Sequence, residues 1–421
     1  MNILTKPFLA LAAIAIITLT FLYLPQNPAE TPLQATITPK ASTSTLSPTP
    51  EPAQTTSNSK TDETLVTSPN VPGIKLPQGF KIEVFAEGLT GNIAPFPGAQ
   101  PGPRFMLWNN NTLFVSIISQ GTVVALKDEN KDWKADLKTT ITTGLNKPHG
   151  LEYFENWLYI AEEHRVIRLK DADGDSIPDS ETVEIVIEKL PSQGHHFTRT
   201  IKIHQDKLYV SVGSSCNACF EEDPHRAAII ECDTDGSNCE VYATGLRNTV
   251  GFIFHEGKMY STDNGRDLIG NDLPPDEINV IEKGGDYGWP TCFGKNVLDT
   301  NFDKNTYIKN PCEDKKPSFV DLQAHSAPLG LAVYDGEMFP NEYQGELFVA
   351  YHGSWNREPP TGYKIVRINL DDLTVKDFAT GWLKGTSVSG RPVDLIVALD
   401  GSMLASDDKT GKIYRISYDE N

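Results

Sequence analysis

Residues 245–265 read GLRNTVGFIFHEGKMYSTDNG, a loop of small and polar residues followed by two short apolar runs around a Gly-containing turn. Alternation with period two marks strands that bury one face, and such a turn joins them as a hairpin. The design returns as GLNKPHGLEYFENWLYIAEEHRVIRL from Gly144, GHHFTRTIKIHQDKLYVSVG from Gly194 and APLGLAVYDGEMFPNEYQGELFVAYHG from Ala327. A more divergent copy, RFMLWNNNTLFVSIISQGTVVAL, starts at Arg104, and the last, GRPVDLIVALDGSMLASDDKTGKIYRI, at Gly390. Units of this kind cannot bury their faces singly, and closing them into a ring does so. The expected fold is an all-β, six-bladed β-propeller over residues 75–421, with function where the loops converge on the central channel.

The formal net charge of −19, from 37 Lys and Arg against 56 Asp and Glu, argues against nucleic acid or an anionic lipid surface as a partner. A neutral or cationic ligand suits the surface better. Residues 8–24 are apolar and uncharged, follow Lys6 and lie between Pro7 and Pro25, which marks a targeting element in residues 1–25. The run is shorter than the ~20 residues that span a bilayer comfortably, and Asn27-Pro28-Ala29 makes a poor cleavage site, so an uncleaved N-terminal anchor is expected. Residues 26–74 are rich in Thr, Ser and Pro, with few large apolar side chains to offset chain entropy, and read as a disordered stalk. The propeller would be exported and tethered through the N-terminal segment alone.

Six cysteines fall between Cys216 and Cys312, an even number suited to disulfides in an exported chain. Cys232 and Cys239 bracket a turn, Cys292 and Cys312 flank a long insert, and Cys216 with Cys219 can close on itself or act as a redox pair. Phe220 stands where a CxxCH haem motif needs histidine, and zinc lacks a second ligand pair at matching spacing.

Two loops carry oxygen ligands at positions one, three, five and nine: Asp128, Asn130, Asp132 and Asp136, then Asp171, Asp173, Asp175 and Asp179. That spacing suits a hard cation such as calcium held structurally, and Gly174 permits the sharp bend of the second loop. Thr139 and Thr182 at position twelve exclude a full EF-hand, and a solvated acidic turn is the simpler alternative. The loop Gln193-Gly194-His195-His196-Phe197-Thr198-Arg199 places two histidines at the channel rim, facing different ways, one suited to act as a general base. Arg247 with Asn248, Arg357 and Arg391 occupy loops of other blades. Planar guanidinium forks gathered there would bind carboxylates, although each alone is equally explained by a surface ion pair.

The strings GHHFTR, SVGSSCNAC, GLRNTVG, DNGRD, DEIN, GGDYGWP, AHSAPLGL, HGSWNR and GRPVDL resemble the glucose/sorbosone dehydrogenase family, six-bladed propellers that use pyrroloquinoline quinone (PQQ), and its sorbosone and pyranose dehydrogenase branch above all. The resemblance runs over about residues 76–416. It implies His196 as the base, with His195 where the branch usually has glycine. It implies Arg247, Asn248, His325, Arg357 and Arg391 as cofactor contacts, and the turn at Gly265 and Arg266 as the holder of the cofactor's calcium. His352, Trp355 and Arg357 take the neighbourhood of a lysine that the glucose enzyme uses. The implied activity is oxidation of an aldose or related sugar hydroxyl, with a cytochrome or membrane quinone taking the electrons.

Two other classes fit the scaffold. A propeller can serve as a non-catalytic module binding glycan or protein, since loops change function while blades persist. A lactone hydrolase would need acidic calcium ligands at the channel centre, and the inner loops do not supply them.

Overall fold

Every repeat forms a four-stranded antiparallel sheet in the computed structural model, which describes residues 64–91, 100–179 and 183–419. From the channel outward, blade 1 contains Pro103–Asn109, Thr112–Ile117, Thr122–Lys127 and Leu137–Thr142. Blade 2 contains Leu151–Phe154, Trp157–Ala161, Val166–Lys170 and Val183–Ile187. Blade 3 has Ile201–His204, Lys207–Val212, Ala228–Asp233 and Glu240–Thr244, extended by Gly285–Asp286 in parallel. Blade 4 has Phe252–His255, Lys258–Asp263, Asp276–Ile281 and Val320–Leu322. Blade 5 has Pro328–Val333, Leu347–Tyr351, Lys364–Ile368 and Val375–Ala379.

Blade 6 closes the ring. Its inner strands Pro392–Val397, Met403–Asp407 and Lys412–Tyr418 are C-terminal, and its outer strand is Phe80–Ala86, paired Phe80 to Tyr418 and Ile82 to Ile416. Joining both chain ends in one sheet removes the edges that an open ring would expose. The expected six-bladed all-β propeller is what the chain forms.

Six apolar clusters lie between neighbouring blades, from Phe114, Val123 and Leu158 between blades 1 and 2 to Phe85, Leu113 and Leu404 between blades 6 and 1. Near the axis the blades approach backbone to backbone. A Cβ on Gly251 would lie 2.2 Å from the Leu329 carbonyl oxygen of the next blade, and one on Gly330 would lie 2.6 Å from the Cα of Asp394. The glycines at these inner strands thus have a steric cause. Hydroxyls tie the same region: Ser116 donates to the His149 carbonyl at 2.8 Å, Thr262 to Leu329 at 2.8 Å and Ser406 to Arg104 at 2.7 Å.

Ordered pairing begins ahead of the expected boundary. Leu65–Thr67 pairs with Lys75–Pro77, and Lys75 bridges Thr380 at the end of blade 5. Ile74 and Leu76 enter the apolar cluster there, so residues 64–74 belong with the propeller and not with the stalk. The expected anchor and the remaining stalk lie outside the described residues, among which no helix is long and apolar enough to cross a membrane. The cysteines pair as Cys216–Cys219, Cys232–Cys239 and Cys292–Cys312, the pairs that spacing favours.

Candidate active site

A cavity of about 200 Å³ opens on the channel, and its wall includes Arg104, His196, Asn248, Asn264, His352 and Asp408. These side chains come from blades 1, 3, 4, 5 and 6, Arg104 from the start of an inner strand and the others from loops beside the two inner strands. Val250 and Leu329 also line it, and they pack with Phe105 and Val393 into an apolar cluster on the channel.

His196 occupies its expected place. Its Nδ1 lies 3.0 Å from the Ser214 carbonyl oxygen and 2.9 Å from the Ser214 hydroxyl, and that hydroxyl itself donates to the Cys216 carbonyl at 2.8 Å. Both Ser214 oxygens therefore accept from Nδ1–H, which leaves the lone pair on Nε2. Burial, reinforced by the Arg247 charge, holds this imidazole well below the ordinary histidine pKa, which favours its neutral form. His195 is exposed, with its ring 76° from that of His196, as expected for adjacent histidines. Gly213 makes room: a Cβ there would sit 2.6 Å from the His196 Cβ and 2.9 Å from Asn248 Oδ1.

Opposite elements carry a chain of charge that the sequence left unread. Arg391 Nη1 donates to His352 Nδ1 at 3.1 Å, His352 Nε2 lies 2.9 Å from Asp408 Oδ1, and Arg104 Nη1 lies 2.6 Å from Asp408 Oδ2. Arginine can only donate, so His352 carries its proton on Nε2 and is neutral. Burial lowers its pKa, and Arg391 and Arg104 add to that against the opposing pull of Asp408. Burial alone would raise the Asp408 carboxyl, but His352 and Arg104 outweigh it and hold it below the usual carboxylate range. Arg104 and Asp408 were missed because each stands in a repeat with no familiar motif. A signal existed: Arg104 is the second residue of blade 1's inner strand, close to where Arg391 stands just before that of blade 6, and Asp408, like Asn264 and His352, directly follows a second strand.

Other expected contacts stand elsewhere. Arg247 has all five N–H groups engaged within the protein. Nε reaches the Asn217 carbonyl at 2.9 Å, Nη1 the carbonyls of Asn264 and Gly265 at 3.0 and 2.9 Å, and Nη2 the Asn217 Oδ1 and Asp267 Oδ2 at 2.9 and 3.1 Å. It is thereby a brace and does not line the cavity. His325 Nε2 bonds the Gly270 carbonyl at 2.7 Å, and Arg357 spans Asn271, Asp272 and Pro359, so neither forms part of the cavity wall. Arg391 stands behind His352 and acts through it.

The donor set of the cavity fits a planar anion with carbonyl groups. Arg104 supplies positive charge and donor groups, both His352 ring nitrogens are committed to Arg391 and Asp408, and Asn248 Oδ1, buried there with no hydrogen-bond partner, is an acceptor for a ligand hydroxyl or N–H. Calcium at the Gly265–Arg266 turn fits less well: the Gly265 carbonyl accepts from Arg247, and Arg266 pairs with Asp299 at 2.9 Å. A guanidinium on the same oxygen repels a divalent cation at that position. In the blade 2 loop, Asp171, Asp173 and Asp175 bring carboxylate oxygens within 4.8 Å of one another. Asp179 instead accepts from the Ala172 amide at 3.1 Å, and the Asp128 loop satisfies its own backbone amides in the same way.

Residues 75–419 match the model of the family described as TrAA12-like. The chain is 35% identical over 367 residues to an uncharacterized protein of Borreliella burgdorferi, covering 82% of this chain and 91% of that one. It is 24% identical over 298 residues to a pyrroloquinoline quinone-dependent pyranose dehydrogenase of Coprinopsis cinerea, covering 53% of this chain and 39% of that protein. Among solved structures, the holo form of the pyranose dehydrogenase PQQ domain from Coprinopsis cinerea superposes with a TM-score of 0.68 at 20% identity, over 84% of this chain and 100% of that domain. The resemblance carried by the motifs is borne out, and the chain belongs to the TrAA12-like family.

Proposed function

We propose that this chain is an exported PQQ-dependent dehydrogenase that oxidises a hydroxyl of an aldose or related sugar. The observation that carries the reading is His196, neutral, with Nδ1 fixed on Ser214, beside a cavity whose other wall holds Arg104, His352 and the unpartnered Asn248 Oδ1. The Coprinopsis relative's name supports the cofactor class.

When bound, PQQ supplies an ortho-quinone that accepts hydride from the sugar carbon. Arg104 would hold one of its carboxylates, a carboxylate being the natural partner of a guanidinium, while His352, with both ring nitrogens committed to Arg391 and Asp408, shapes the wall. His196 Nε2 takes the hydroxyl proton as hydride leaves, and Ser214 accepts the Nδ1–H that keeps the ring in register. The apolar cluster of Phe105, Val250, Leu329 and Val393 seals the channel beside the cavity and keeps bulk water from that side. No step is assigned to calcium at Gly265 and Arg266. Calcium belongs instead to the loop of Asp171, Asp173 and Asp175, as a structural ion.

Disulfides within blades 3 and 4 support export, and electrons would pass to a cytochrome or a membrane quinone. Purified protein titrated with PQQ, then offered aldoses with an artificial electron acceptor, tests the reading. Bound quinone absorbance with sugar-dependent acceptor reduction is the expected result. Protein that binds no PQQ but retains glycan would be a binding module.

A further inference from the structure

The segment between strands Lys207–Val212 and Ala228–Asp233 reaches the site at two places close to its start. At Ser214 it holds His196, and the Ser214 amide also donates to the Arg247 carbonyl at 2.8 Å. Three residues on, Asn217 sits inside the ring closed by Cys216 and Cys219. Its carbonyl and Oδ1 take Nε and Nη2 of Arg247, while its side chain also accepts from the Asp267 amide at 2.8 Å and donates to the Asp267 carbonyl at 3.0 Å. Arg247 passes the constraint on, since Nη1 grips the carbonyls of Asn264 and Gly265, and Asn264 lines the cavity.

We propose that Asn217, held in the Cys216–Cys219 ring, is a positioning residue for Arg247 and, through it, for the Asn264 wall of the cavity. A residue whose side-chain oxygen accepts two bonds, whose amide donates one and whose carbonyl accepts another needs a backbone with few alternatives, and a four-residue disulfide ring removes most of them. The buried guanidinium has no water to replace a lost acceptor, so displacement of Asn217 frees Arg247 to turn. The consequence for cofactor binding rests on the quinone reading above; the positioning itself does not.

The full chain carrying Asn217→Ala, Asn217→Asp, Asn217→Leu or Cys216→Ser with Cys219→Ser is treated with phenylglyoxal without cofactor, and Arg247 modification is followed by peptide mass spectrometry. Modification about tenfold or more faster in Asn217→Ala than in wild type is expected, since one charged hydrogen bond is worth roughly that factor. Asn217→Asp keeps the acceptor and should restore protection, whereas Asn217→Leu, which keeps the volume without the acceptor, should react like the alanine variant; protection in Asn217→Leu would mean a merely space-filling role. Equal rates in wild type and Asn217→Ala, or Asn217→Asp as reactive as the alanine variant, overturn the proposal. The double serine variant should match Asn217→Ala if it folds, and if it does not, the Asn217 variants decide. PQQ titration of the same proteins separates the two readings. Wild type that binds no PQQ sinks the quinone reading while the phenylglyoxal rates still decide the positioning. Wild type that binds PQQ, with affinity weakened about tenfold in Asn217→Ala, supports both.

Discussion

His352 donates its Nε2–H to the Asp408 carboxylate at 2.9 Å, and this bond joins blades 5 and 6 on the cavity wall. The same carboxylate takes Arg104 of blade 1 at 2.6 Å, so one acid sets two cavity groups and crosses the ring closure.

Asp408→Asn should destabilise the fold by about 3–5 kcal/mol, because it leaves the buried Arg104 cation uncompensated. The Asp408 pKa is depressed on folding, so its contribution is present above the unfolded value near 3.9 and is lost as pH falls through the lower folded value. Urea unfolding at pH 7 and again below pH ~4 should show the wild-type advantage at the first and its loss at the second. A variant as stable as wild type at pH 7 would contradict the pairing.

His196→Ala should keep PQQ affinity and lose turnover by about a hundredfold to ten-thousandfold. The folded pKa is lowered, so the base form persists on acidification past the ordinary value near 6.5, and the acid limb of kcat/KM should fall below that pH. Steady-state rates across pH 5 to 8 check this. An acid limb above pH ~6.5 would assign it to another group.

Gly251→Ala and Gly330→Ala should each cost about 1–3 kcal/mol or more, since the added methyl meets backbone of the adjoining blade. Thermal melts should show the loss in both.

Calcium should raise the melting temperature through the blade 2 loop, by the equivalent of ~2.7 kcal/mol at a concentration 100 times the dissociation constant. Asp173→Asn with Asp175→Asn should abolish the shift while sparing Asp171, which also accepts from the Tyr153 hydroxyl at 2.7 Å and from the Gly174 and Ser176 amides. An undiminished shift in the double variant would place the ion elsewhere.

Much of the fold was legible because its cause is local and repeated. Alternating runs such as FIFHEG and KMYSTD specify hairpins, and the glycine before an inner strand records a close backbone approach. Of the residues that the resemblance pointed to, His196 of GHHFTR and Asn248 of GLRNTVG line the cavity. Arg247 misled because its residue type announces affinity for anions, while its partners, Asn217, Asn264, Gly265 and Asp267, lie in other loops.

By itself, the sequence determined the period, the number of blades and a histidine loop at the rim, all read from residues near one another in the chain. Only the tertiary structure decided which guanidinium faces the cavity and which is consumed as a brace, and that Arg104 and Asp408 meet across 304 positions of sequence. A donor's availability is set by what closes around it, and in a ring that closure comes from distant segments.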